Sequence, residues 1–523
     1  MLPRLETDPD EELSGAEIRD LTARVAASHR TARRVTVLTD GLWLVTAAAI
    51  TVGLVVGAAG VVRDLVLAAP EDVAAPGLAL PALRMLLLVA GLALAATMAA
   101  RLGPVAVSGA GLRWWMPMPV DRTSLLSVRL VRALGLWSVS GAAFVTLVTA
   151  STGVPVTPRS LTTSAVTGML CGALVVTAVG LLQHRRSVLA AIVVTGDLVL
   201  ALTPVLGVML VVTGAADPGG GKGAGWDAPW WGGGRAAAVV LGGAGCLLLA
   251  GVHRWHRGLE GLGSRTLTSA TSVAEQAGTA MVSLDLRELG RALDGPGVRR
   301  PPRRPAGLRW VRGPVTALLA AEVLAVARNP VLVAQAVGLG ALVVLAREIP
   351  ALAGGLGHAV VLLAVGIRSA QLGAQGARAA QGSPVLDSLL PLSARATRSV
   401  RAVVPATMAL ISCGLGCSPL VLDDPRWLAL LLAAAGCFAA GAVRGAYREP
   451  PQWSAPLLAT PAGAVPTGAL SMVTRGPDLA VAGALPLLVA VVAGTPAWGI
   501  VGMQVLFSGA ALAASSVVRR ADA

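Results

Sequence analysis

Within the long apolar runs of this 523-residue chain, one carboxylate stands apart. Asp197 lies in VVTGDLVLAL, with no other charge nearby. An acid inside hydrocarbon is costly and marks a functional candidate by default. Three roles are open to it: pairing with an Arg, binding cargo or carrying a proton. The bland alternative is a hydrogen-bonded structural Asp beside a kink at Pro204. His358 is a second polar candidate for a translocation path. Proton-coupled pumps carry more such groups than these two. His253 and His256 lie about one turn apart, but no third ligand stands beside them, and snorkelling at a membrane edge fits them better. Cys413 and Cys417 are one turn apart, so a disulfide or a metal site can be drawn. All five cysteines lie in apolar runs, where small buried thiols are the simpler reading. The GGGKG at 219–223 lacks the G-x-x-x-x-G-K-[ST] spacing that cradles phosphate, because residue 216 is Ala and residue 223 is Gly. No catalytic residue, metal ligand or cofactor site is therefore assigned to this chain.

The elements that hold these residues are set by the bilayer. Hydrophobic residues make up 55% of the chain and charged ones 13%, about half the charge of a soluble domain. Mean hydropathy is +0.72. Stretches of about 20 uncharged residues can cross the hydrocarbon as helix. The fold class is an all-α membrane protein with about twelve transmembrane helices. The spans fall near 38–60, 83–101, 133–150, 162–182, 188–212 and 236–252, then 331–346, 352–370, 402–420, 427–443, 479–494 and 497–516. No cleavable signal is visible, so the first span is expected to target the chain. Barrel strands are excluded by continuous apolar runs and 3% aromatic residues.

Charge gives the orientation. With the N-terminus inside, alternate segments collect 35 Lys and Arg on the inner side and seven on the outer. That bias places both ends in the cytoplasm of a cell with an inner (plasma) membrane. The net charge of +14 is then a topology signal, and nucleic acid is not an expected partner. Lys222 is the one Lys beside 41 Arg, the pattern of a GC-rich genome. Trp226, Trp230 and Trp231 on the outer 214–234 loop suit a headgroup-level belt or an outer gate.

The chain is also a repeat. MPVDRTSLLSVRLV at 118–131 aligns without gaps on LPLSARATRSVRAV at 390–403, an offset of 272 residues. Pro119 falls on Pro391 and Arg129 on Arg401. Each half opens with an amphipathic stretch, 14–37 in one and 315–329 in the other. Leu318, Leu319, Val323 and Val326 recur at helical spacing with Glu322 and Arg328 interleaved, which suits a helix lying in the membrane interface. Arg328-Asn329-Pro330 ends it, because a residue before Pro is pushed out of helical geometry. The expected layout is an N-terminal interfacial helix (1–37), a six-span half (38–252), a cytoplasmic linker (253–314), a second interfacial helix (315–330) and a second six-span half (331–518). GPGVRRPPRRPAG in the linker is not expected to fold alone. A short helix is expected at 274–293.

ALLAAEVLAVARNP before a first span, and LLPLSARATRSVRA between the second and third, resemble the permease subunits of ABC-2-type exporters. The doubled layout resembles fused, double-length actinobacterial membrane proteins of this kind. The resemblance implies that the second-to-third loops are coupling loops that dock on an ATPase. Pro391, Leu392, Ser393 and Arg395 carry the pattern in the second half, and Pro119, Val120, Asp121 and Arg122 in the first, where the Arg comes one place early. It implies an ATP-binding-cassette subunit as partner, in two copies, with ATP and Mg held there and not by this chain. The lipid bilayer is the other partner. Two other classes remain open. A major-facilitator-like secondary transporter shares the span count, but its second-to-third loop is short and of a different pattern. A membrane enzyme or scaffold would need a polar cluster near one leaflet to be an enzyme.

Overall fold

The computed structural model describes residues 80–213, 235–282, 308–448, 457–460, 463–466 and 475–517, with a few single positions missing (108, 116, 118–120, 153, 384, 386 and 388), and isolated residues elsewhere. The first expected span and nearly all of the N-terminal interfacial stretch lie outside the described residues.

Eighteen helices run through the described residues: α1 Leu80–Leu102, α2 Gly109–Trp114, α3 Arg122–Ser151, α4 Pro158–Leu181, α5 Arg186–Val212, α6 Arg235–Arg257, α7 Ser264–Val282, α8 Pro314–Ala327, α9 Pro330–Ala346, α10 Pro350–Ala353, α11 Gly355–Gly373, α12 Gln375–Gln381, α13 Ala394–Gly416, α14 Ser418–Asp423, α15 Arg426–Ala446, α16 Pro477–Gly483, α17 Leu485–Ala493 and α18 Trp498–Ser516. Prolines open many of them, at a position where the missing N–H has no intrahelical partner to lose. Eight helices, α1, α3, α4, α5, α11, α13, α15 and α18, are long and apolar enough to cross a membrane. A ninth is gained if α8 and α9 count as one broken span, bent by 76° at Arg328-Asn329. The chain is thus a helical, multi-pass membrane protein.

Four details depart from the sequence reading. The third span of each half starts far earlier than expected, at Arg122 and Ala394, because helix runs straight out of the preceding loop. The expected span 479–494 is two short helices, α16 and α17, broken at Ala484 ahead of Pro486. The 331–346 span is realised as α9, whose 17 residues reach only about 26 Å as helix. A small antiparallel hairpin, β1 Leu457–Thr460 on β2 Gly463–Pro466, interrupts the otherwise helical chain, with Leu457 opposite Pro466 and Thr460 opposite Gly463.

The chain divides into two compact units. One comprises residues 1–67, 87–197 and 222–300; the other comprises 68–86, 198–221 and 301–523. In the first, α3 lies directly on α4. A Cβ at Gly168 would come within 2.2 Å of the Gly141 carbonyl oxygen, so only glycine permits this approach. In the second, α15 is the most enclosed helix. Leu430, Leu431, Ala434, Cys437 and Phe438 centre a core that includes Leu362, Val365, Ala409, Cys413 and Leu487. Cys413, Cys417 and Cys437 are free and buried in it, as small apolar groups would be.

Candidate functional site

The second-to-third loops were the strongest sequence candidates, and each ends on a side-chain cap. Asp121 accepts from the Thr123 and Ser124 amides at 2.9 and 3.1 Å, satisfying donors that the start of α3 leaves open. Its carboxyl is held below the usual value of 3.8, chiefly by the Thr123 hydroxyl, which donates to it at 2.6 Å. Ser393 accepts from the Ala396 amide at 3.3 Å at the start of α13. Pro119 and Val120 lie outside the described residues. Arg122 begins α3, while Pro391 and Arg395 are exposed and Leu392 is half-buried. Both loops also carry bare apolar groups: Trp114 is 73% exposed beside the exposed Arg113, and Leu389 is 74% exposed in the second loop.

Behind the second loop stands a cluster of which the sequence showed only Glu322 and the repeated Arg401. Arg401, near the base of α13, is buried and takes two carboxylates. Its Nε donates to Glu322 Oε1 of α8 at 3.2 Å. Its Nη1 donates to Asp387 Oδ2 of the loop at 3.0 Å, and its Nη2 lies 2.7 Å from Asp387 Oδ1. The Tyr447 hydroxyl, just past α15, donates to Asp387 at 3.3 Å and accepts from Arg401. Burial raises the Tyr447 phenol and Arg401 opposes that shift. Arg398, one turn earlier on α13, stacks on the Tyr447 ring at 4.7 Å and donates to the Val517 carbonyl at 2.8 Å, just beyond the end of α18. Two cations and two carboxylates balance, which is the condition for burying such a group.

Glu322 thereby corrects the picture of an amphipathic interfacial helix. It shares the buried face of α8 with Leu318 and Val326, while Val315 and Val323 are exposed. The charge faces protein and the apolar side faces outward, the arrangement suited to a lipid surround. Arg328, expected on the same helix, is its C-cap and is exposed. The Glu322 carboxylate fits because residue 376 is Gly: a Cβ there would sit 2.0 Å from Glu322 Oε2.

The first half has no matching cluster among the described residues. Arg129, the counterpart of Arg401, makes no ion pair there. The counterpart of Asp387 is Trp115, which packs against the apolar group of Val105, Val107, Leu125 and Leu126.

Of the two candidates within spans, Asp197 is paired. Arg101 at the end of α1 reaches it at 2.6 Å and also donates to the Leu293 carbonyl at 2.8 Å. His358, in the first turn of α11, is 5% exposed, and neither ring nitrogen has a hydrogen-bond partner among the described residues. No group of three metal-ligating side chains occurs among the described residues.

A family model described as a family of unknown function, DUF6297, matches residues 77–456. The match takes in both loops and all of Glu322, Asp387, Arg401 and Tyr447. Comparisons with curated proteins and with solved structures give no match.

Proposed function

We propose that this chain, which belongs to the DUF6297 family of unknown function, is the membrane-spanning permease of an ATP-driven exporter of the ABC-2 type. On this reading it crosses the inner (plasma) membrane about twelve times as two six-span halves. Both termini and both second-to-third loops face the cytoplasm. Separate ATP-binding-cassette subunits, two copies, hold ATP and Mg and dock on those loops. Closure of the ATPase pair moves the loops, and that movement switches access from one side to the other.

The observation that carries the reading is the matched ending of the two loops. At positions 272 residues apart, a side chain caps a helix that continues without a break into the third span. A push on such a loop is delivered along a continuous helix. Trp114 with Arg113 on one loop, and Leu389 with Arg395 on the other, each suit a partner groove that is apolar in the centre and acidic at the rim. In the second half the Arg401 cluster also ties the loop to α8, so the pre-span helix shares the movement. A secondary transporter would draw on Asp197, but that carboxylate is already matched by Arg101, which favours a structural role.

The test is purification of the tagged chain from its native membrane in mild detergent, followed by mass spectrometry. A stoichiometric ATP-binding-cassette subunit supports the reading. Its absence from repeated, well-solubilised preparations overturns it. Orientation is checked separately with an impermeant thiol reagent. Gly220→Cys and Asp424→Cys are expected to label from outside, and Gly295→Cys is not; the reverse pattern inverts the topology.

A further inference from the structure

The segment following α1 is held in an unusual way. Residues 103–107 form no regular element, yet Val105 and Val107 are fully or nearly fully buried. Gln183, from the turn after α4, binds Val105 on both sides of the peptide: its Nε2 donates to the Val105 carbonyl at 2.9 Å and its Oε1 accepts from the Val105 amide at 3.4 Å. Thr271 of α7 repeats the device two residues on. Its hydroxyl accepts from the Val107 amide at 3.1 Å and donates to the Val107 carbonyl. Glu275, one turn further along α7, accepts from the Gly109 amide at 2.8 Å, where α2 begins. Ala270 of α7 closes the other end. A Cβ on Gly103, whose φ is +70°, would stand 2.5 Å from the Ala270 Cβ. Leu259, Leu262 and Leu267 bury the apolar side of the same segment, together with Trp255.

An irregular buried backbone needs partners for its N–H and C=O groups. Beyond Val105, which Gln183 serves, one helix supplies them at regular spacing: residues 271 and 275 are i and i+4 on one face of α7. That helix belongs to the stretch joining the two halves of the chain. We propose that α7 is an intramolecular clasp that fixes the first second-to-third loop and sets how α2, with Arg113 and Trp114, is presented. The second loop has its own restraint, the charged cluster at Arg401. The two loops of the repeat are therefore held by different chemistry: the first through backbone hydrogen bonds and apolar contact from the linker, the second through ionised side chains. The clasp stands whether or not the exporter reading is right, since it concerns this chain alone.

The test is amide hydrogen exchange on the full chain in lipid nanodiscs, without any partner. Thr271→Val with Glu275→Ala is expected to speed exchange at residues 105–111 by about tenfold, as local opening loses its bonds, and to leave 389–399 unchanged. Unchanged exchange at 105–111 overturns the proposal, and so does equal acceleration in both loops. If the pair fails to insert, Glu275→Ala alone, at an exposed position, is read at the Gly109 amide. Faster exchange there supports the clasp and no change overturns it. A chain that keeps the clasp yet copurifies with no ATPase removes the exporter reading and leaves this one in place.

Discussion

Asp121 and Ser393 stand 272 residues apart, and each accepts a hydrogen bond from the amide three residues ahead, that of Ser124 in one case and Ala396 in the other. Side chains of different chemistry thus perform one task at two aligned positions. Asp121→Ala and Ser393→Ala are each expected to cost about 1 kcal/mol at their helix start. Amide exchange over the first turns of α3 and α13 would register this, and protection equal to wild type would refute it. Asp121 adds a pH signature. Its folded carboxyl titrates below the ordinary 3.8, so its contribution is present above that value and is lost as pH falls through the lowered one. Ser393 shows no such loss, and Asp121→Asn abolishes it.

Arg401 is expected to be the least replaceable residue of the second half. Arg401→Gln leaves Glu322 and Asp387 without their cation, a change that costs about 3–5 kcal/mol in buried settings. Arg401→Lys keeps the charge but loses the forked geometry that takes both carboxylates, and should fall between. Glu322→Gln combined with Arg401→Gln should cost less than the two single changes added. Strict additivity in a reversible unfolding titration would show that the pair is not coupled.

Gly376 is expected to tolerate no side chain. Gly376→Ala would put a methyl group against the Glu322 carboxylate and drive it from Arg401. The loss should approach that of Glu322→Ala, and the two changes together should cost little more than one. Wild-type stability for Gly376→Ala would mean that α12 can give way.

Arg101 and Asp197 should likewise behave as a couple. Asp197→Asn takes the carboxylate from Arg101 in the first unit and is expected to destabilise it by a few kcal/mol, with partial recovery when Arg101→Gln is added. If Asp197→Asn is stable but abolishes ion-coupled uptake, the acid serves a transport cycle instead.

The sequence made the membrane class legible, because length and lack of charge decide it. Most span positions followed, for α1, α3, α4 and α5 and again for α11, α13, α15 and α18. Helix starts in polar loops did not. Arg122, Arg129, Arg395, Arg398 and Arg401 read as loop or edge residues by hydropathy, yet all belong to the long helices α3 and α13. The site was half legible. Glu322 was singled out, but as the wet side of an amphipathic helix, since spacing alone does not say which face meets protein. Asp387 and Tyr447 passed unnoticed, because bonds that reach 14 and 46 residues from Arg401 leave no local pattern. The clasp was hidden for the same reason: Thr271 and Glu275 meet Val107 and Gly109 from more than 160 residues away.

The base of α13 has little freedom to travel by itself. Its bonds to Glu322 and Asp387 measure 2.7–3.2 Å, and a hydrogen bond is lost within about half an ångström beyond that range. Sliding the helix by a single residue would displace it by about 1.5 Å, three times the slack. Arg398 and Arg401 also engage one ring, that of Tyr447, so twisting is restrained as well as sliding. α13 is keyed to α8 and to its loop like a shaft in a collar, and any force reaching one of the three turns them as a single part.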